Sequence, residues 1–193
     1  MARKKEYDKE EVLDQATILF WEKGFKATSI GDIVKATGLN KYSMYEEFKN
    51  KEGLFKAALS NYTDKLQKEN IAHLTKEPLG LKNIENFLLN RVNYATCDDF
   101  KGCLVVNSLV EKESLNSDIF SNIQLLLNGY EEQVIECLES AKKNKEIAES
   151  KDSKTIAKLV VNFSSGVLVN GKLGQKREEY IAMLDFFMDS IKN

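Results

Sequence analysis

The stretch that decides the fold is Thr28-Ser29-Ile30-Gly31-Asp32-Ile33-Val34-Lys35-Ala36-Thr37-Gly38-Leu39-Asn40-Lys41-Tyr42-Ser43-Met44-Tyr45-Glu46-Glu47-Phe48-Lys49-Asn50-Lys51. Ser29 is suited to accept a hydrogen bond from the free N–H groups of a helix start, and Asp32, three residues on, can reach back as the acid of a capping box. Ile30, Ile33 and Val34 then recur at the spacing of one buried helical stripe. The helix runs out at Gly38, because the left-handed backbone that ends many helices is cheap only for glycine. Asn40 suits the cap of a second helix that carries Lys41, Tyr42 and Ser43 on its first turn and sends Met44 and Phe48 inward. Two short helices joined by a tight turn match the helix-turn-helix, whose second helix reaches base edges while neighbouring helix starts hold phosphates. The spacing also suits an ordinary helical hairpin, and spacing alone leaves both open.

The wording around this stretch is more specific. Ala16, Leu19-Phe20, Gly24-Phe25, Thr28-Ser29-Ile30, Ile33, Gly38, Ser43, Tyr45, Phe48, Lys51 and Leu54 fall in order at positions of the TetR-family N-terminal signature. The chain therefore resembles that family of bacterial transcriptional regulators. The resemblance implies a three-helix DNA-binding domain, a larger helical domain that binds a small-molecule effector, and a homodimer. Such a dimer reads a palindromic double-stranded operator, because two recognition helices related by a two-fold axis combine their binding energies. On this reading residues 1–50 form the helix-turn-helix domain and residues 51–193 the ligand-binding and dimerisation domain. An effector that binds the ligand domain tilts the joining helix and releases the operator by its differential affinity for the two states.

By position, Lys41 and Tyr42 are expected at or near base edges and Ser43 at a base or phosphate, with Ser29 counted in the same DNA-facing group. Thr28, Tyr45 and Lys51 are expected on phosphates, through hydroxyls and a lysine charge. Tyr45 equally suits an aromatic brace for the turn. Glu46-Glu47 departs from the family, many of whose members carry an aromatic residue or histidine there, and carboxylates beside phosphates are repelled unless they point away or meet a cytosine amine.

Composition agrees with local rather than global DNA contact. The chain has 193 residues, 42% of them hydrophobic and 30% charged, with a formal net charge of −2, so it is not a basic nucleic-acid coat. The arm Arg3-Lys4-Lys5 is a short basic cluster followed at once by Glu6, Asp8, Glu10 and Glu11, which suits either a minor-groove contact or a solvated terminus. A single proline and no strand-like alternation point to an all-α chain of about nine helices. With no long apolar run and no hydrophobic leader, a cytoplasmic protein without membrane contact is expected. Cys97, Cys103 and Cys137 are scattered and odd in number, as suits reduced thiols.

Apolar spacing predicts a first helix over Lys9–Lys23, with Trp21 and Phe25 packing beneath the short helices, and a joining helix from Lys51 to about Leu74. Lys76-Glu77-Pro78-Leu79-Gly80 breaks it. Ile84, Phe87, Leu88, Val92 and Ala95 mark the next helix, and others follow over Gly102–Lys112, Asp118 to about Lys145, Lys154–Leu173 and Lys176–Ile191. In the last of these, Tyr180, Ile181, Leu184, Phe187, Met188 and Ile191 need a partner surface. The family pairs its last two helices with their copies; the same stripes also suit an intramolecular core.

Gly102-Cys103-Leu104 resembles a segment of one TetR subgroup, in which it opens a helix lining the effector cavity and the cysteine in some members senses electrophiles or oxidants. A thiol at a helix start gains thiolate character, so Cys103 is the candidate for a thiol-responsive repressor, against the plainer reading of a buried small hydrophobe. An ordinary pocket would draw on Phe87, Tyr94, Phe100, Asn107, Tyr130 and Phe163, although aromatic residues at helical spacing are commonly core. Enzyme readings fail one by one. His73 is the single histidine and has no triad motif around it; the cysteines make no C-x-x-C zinc pattern; and Gly166–Leu173 matches a P-loop except for the hydroxyl that holds magnesium. No catalytic residue, metal or cofactor is expected. From a different class, an all-helical ligand-binding dimer without DNA binding remains the alternative.

Overall fold

The computed structural model describes residues 7–192 and is all-helical among them, so the basic arm at Arg3-Lys4-Lys5 lies outside the described residues. The α-helices are α1 (Lys9–Lys23), α2 (Ile30–Thr37), α3 (Lys41–Phe48), α4 (Lys51–Thr75), α5 (Leu81–Ala95), α6 (Leu104–Val110), α7 (Ser117–Lys143), α8 (Ser153–Asn170) and α9 (Arg177–Ile191). Single 3-10 turns follow α6 and α8. No helix among the described residues is long and apolar enough to cross a membrane.

The chain divides into two compact units. One runs to Leu66 and adds Cys103–Ser121; the other comprises Gln67–Gly102 and the chain from Asn122 onward. The expected boundary near residue 50 is therefore not where compactness draws its line, and the reason is packing. Leu54, Phe55, Ala58, Leu59 and Tyr62 of α4 are all buried in company with Val12, Ala16 and Phe20 of α1. Phe55 sits edge-on to Phe20 at 4.9 Å and tilted against Phe25 at 5.0 Å, contacts each of which adds about 0.5–1.5 kcal/mol beyond burial. Of the two aromatic residues expected beneath the short helices, Phe25 packs on Phe20 of α1 and Phe55 of α4, and Trp21 lies edge-on to Tyr62 of α4 at 5.4 Å. Leu104 of α6 donates its N–H to the Tyr62 hydroxyl, which ties the Cys103–Ser121 segment into the same unit.

The second unit holds two apolar clusters, one with Ile84, Phe87 and Leu88 of α5, Val134, Cys137 and Leu138 of α7, Val160 of α8 and Leu184 and Met188 of α9, and a smaller one with Val92, Ala95, Val167 and Tyr180. Ile147, inside the polar connection after α7, is buried in the larger of the two. Asn83 closes the α4–α5 turn by donating to the carbonyls of His73 (3.0 Å) and Lys76 (2.7 Å) while accepting from the Gly80 N–H.

Candidate functional site

The α2–α3 region is assembled by its own caps. Ser29 Oγ accepts from the Asp32 N–H at 3.1 Å, and Asp32 Oδ2 accepts in return from the Ser29 N–H at 2.8 Å. The Lys23 ammonium, 2.7 Å from Asp32 Oδ2, and then the Ser29 hydroxyl and N–H hold this carboxyl far below the usual carboxylate range. Gly38 takes φ 70° and returns its N–H to the Val34 carbonyl, the left-handed turn that only glycine adopts freely. Asn40 Oδ1 then accepts from the Ser43 N–H at 2.8 Å and opens α3. At the far end, Asn50 Oδ1 caps α4 through the Gly53 N–H, and any side chain at Gly53 would run into the Phe48 carbonyl.

These caps set the rotation of α3. Met44 and Phe48 are buried, so the opposite face presents Lys41, Tyr42 (74% exposed), Tyr45 (48% exposed), Glu46 and Lys49 to solvent, with Ser43 half-buried. Of the expected DNA-facing residues, the fold gathers Lys41, Tyr42 and Tyr45 on one exposed surface, with Ser43 at its edge. Ser29 is exposed but its hydroxyl serves the α2 capping box. Glu47 does not share the exposed face. Its carboxylate meets the Lys9 ammonium at 2.8 Å and accepts from the Tyr7 hydroxyl at 3.1 Å, so it turns toward α1. Glu46 stays exposed beside Tyr42 and Tyr45.

Two residues expected on phosphates have intramolecular partners. Thr28 is only 2% exposed and its hydroxyl donates to the Gly24 carbonyl at 2.6 Å, so it closes the α1–α2 turn from inside. Lys51 points its ammonium at the carbonyls of Phe25 and Thr28, both at 2.9 Å, and over the Phe25 ring at 4.3 Å from its centroid. A lysine so placed braces the turn.

The same turn is gripped from the other side by a residue that sequence reasoning missed. Glu111, directly after α6, accepts from the N–H groups of Phe25 (2.8 Å) and Lys26 (3.4 Å). An acid on the donors and a lysine on the acceptors thus satisfy the backbone that spaces α1 from α2. The sequence separation of 86 between Phe25 and Glu111 leaves no local signal for this pairing.

The expected effector residues do not form one group. Phe87 and Tyr130 lie together, ring centroids 5.6 Å apart, and Arg91, which sequence reasoning passed over, stacks on both. Tyr94 and Phe100 make a separate edge-on pair at 5.3 Å. Phe163 stacks on Phe187 and lines a shallow apolar groove of about 430 Å³ with Met183 and Phe186. A polar groove of about 580 Å³ lined by His73, Lys76, Asn83, Asn86 and Asn90 contains none of the expected residues. Cys103 and Asn107 belong to the other compact unit. Cys103 occupies the N-cap of α6, is 5% exposed, and its side chain makes no capping hydrogen bond. Cys137 donates its thiol to the Leu74 carbonyl, and burial pushes it up to about 12, so it stays protonated. Cys97 is exposed.

The stripe of α9 expected to need a partner finds one inside the chain, since Tyr180, Leu184, Met188 and Ile191 are buried. What stays open is the adjacent face, where Phe186 is 78% exposed, together with Met183 and, on and just after α8, Leu159, Val169 and Leu173.

Comparison with known proteins puts a family on these observations. Residues 12–58 match the family described as bacterial regulatory proteins, tetR family, and residues 80–187 match the tetracyclin repressor-like C-terminal domain. The transcriptional repressor ComR of Escherichia coli (strain K12) is 34% identical over 124 residues, 63% of this chain and 59% of ComR. The chain thus spans less than two thirds of the length of the curated relatives it matches. Among solved structures, a cysteine mutant of the TetR-family regulator CifR complexed with 26-bp double-strand operator DNA has 22% identity and a TM-score of 0.85, covering 98% of this chain and 99% of that one. The reduced form of NemR from E. coli has 20% identity and a TM-score of 0.83, covering 95% and 96%.

Proposed function

We propose that this chain, which belongs to the TetR family of bacterial regulatory proteins, is a cytoplasmic homodimeric repressor that leaves a palindromic operator when a small molecule binds its C-terminal domain. The observation that carries the reading is the exposed face of α3. Lys41, Tyr42 and Tyr45 stand free of any structural duty that the caps and the turn already perform, on a helix whose N-terminus is built by Asn40. Lys41 and Tyr42 meet base edges; Tyr45 meets a phosphate through its hydroxyl, and Ser43 supports them from the edge. Residues 1–50 act as the reading domain and residues 51–193 as the domain that dimerises and binds the effector. The open apolar face around Met183 and Phe186 is where the second copy packs, since an aromatic side chain exposed to this degree costs solubility unless covered. Regulation of this kind requires binding alone and no catalysis. Mobility shift of the DNA upstream of the chain's own gene tests the reading: a salt-sensitive, sequence-specific shift supports it, and failure to shift that DNA at low salt overturns it.

A second reading gives Cys103 a response to electrophiles or oxidants, as in the subgroup whose Gly-Cys-Leu segment it resembles. It occupies the N-cap of α6, and its burial opposes attack. Cys103→Ser that still releases DNA on electrophile treatment removes this reading.

A further inference from the structure

Arg91 stands where a core residue belongs. In the α5 stripe it follows Phe87 by one turn and precedes Val92 and Ala95, and it is 5% exposed. It is one of three arginines in the chain, and a guanidinium carries its charge at every accessible pH. Nothing answers that charge. Among the described residues no carboxylate pairs with Arg91, and its buried Nε has no hydrogen-bond partner. What it does have is two aromatic faces, Phe87 at 4.9 Å and Tyr130 at 5.5 Å from the guanidinium carbon to the ring centroids. Stacking engages the flat side of a guanidinium, and the in-plane Nε–H of Arg91 is left buried and unmet. A buried cation in that state is a standing demand for an anion.

We propose that Arg91 anchors the effector and that the effector is an organic carboxylate with an apolar body. A carboxylate matches the planar donor edge with two parallel hydrogen bonds, as no neutral group does. Its single charge balances the one on Arg91, whereas a phosphate dianion would leave net charge buried. The apolar body follows from the surroundings, because Phe87, Leu88, Tyr130 and Val134 belong to one buried cluster. This rests on the reading of the chain as an effector-controlled regulator and assigns the class of molecule that controls it.

Calorimetric titration of the full-length protein with sodium benzoate and sodium octanoate, and with benzamide as the uncharged counterpart, tests the assignment. The carboxylates bind, benzamide does not, and Arg91→Gln weakens the carboxylates at least about tenfold, the loss of a charge-assisted hydrogen bond. Arg91→Met, measured without ligand, melts at the same temperature as the wild type or higher, because it removes an unpaired buried charge. Equal carboxylate binding by the wild type and Arg91→Gln, absence of binding by both carboxylates, or a lowered melting temperature in Arg91→Met overturns the proposal. Operator shifts on the same samples separate the two levels: carboxylate binding that depends on Arg91 but leaves operator affinity unchanged sinks effector control and keeps the anion site.

Discussion

The two compact units differ in how completely their polar side chains are partnered, although Asn83 of the second unit is fully engaged. In the unit that carries α2 and α3, Thr28, Lys51, Glu111, Asp32 and Glu47 each meet a defined partner, and the α1–α2 turn is held by both an acid and a lysine. In the other unit, Arg91 Nε and Asn70 Nδ2 are buried with no partner. A well-partnered network fixes one geometry, which is what the proposed match to a DNA groove requires. A unit with unmet donors instead has folded-state free energy that a ligand can change, which is what the proposed effector control requires.

That contrast can be broken from either side. The largest effect is expected at the core of the reading unit: Phe55→Ala removes the ring shared by Phe20 and Phe25 and costs about 3–5 kcal/mol, read from the fluorescence melt of Trp21, the single tryptophan, which lies in that unit. Lys51→Ala leaves the Phe25 and Thr28 carbonyls without their donor and costs about 1–3 kcal/mol; a melt unchanged from wild type would return Lys51 to the phosphates. Ser29→Ala removes the α2 cap at about 1 kcal/mol in the same melt. The smallest effect is one of pH. Asp32 has a depressed folded-state pKa, so its contribution is present above the ordinary value of 3.8 and is lost as the pH falls through the lower folded value. Asp32→Asn therefore flattens the acid limb of the Trp21 melt, and superimposable acid limbs would show that the Lys23–Asp32–Ser29 cluster does not matter to the fold.

Much of this was legible in the sequence where the forces are local. The capping box at Ser29 and Asp32, the turn at Gly38, the cap at Asn40 and the inward pair Met44 and Phe48 are interactions within a few residues, and the helix-period stripes give the all-α class directly. Less legible are side chains whose partners are distant in sequence. Thr28 and Lys51 have the right chemistry for phosphates, yet their partners are carbonyls of the α1–α2 turn. Glu47 looked like a repulsive carboxylate until the fold brought Lys9 to it. Arg91 had a local signal, a charged residue in phase with an apolar stripe, which goes unnoticed when only aromatic residues are scanned for a pocket.

The central claim is that the exposed face of α3, and not the α2 start or the head of α4, reads the operator. Fluorescence anisotropy of labelled operator DNA with the Lys41→Ala and Tyr42→Ala variants tests it most directly, alongside Trp21 melts that confirm an intact reading unit. Each variant is expected to lose about tenfold or more in specific affinity, the scale of one good base contact, with the melt unchanged. Undiminished specific affinity in both variants, with the fold intact, would contradict the account.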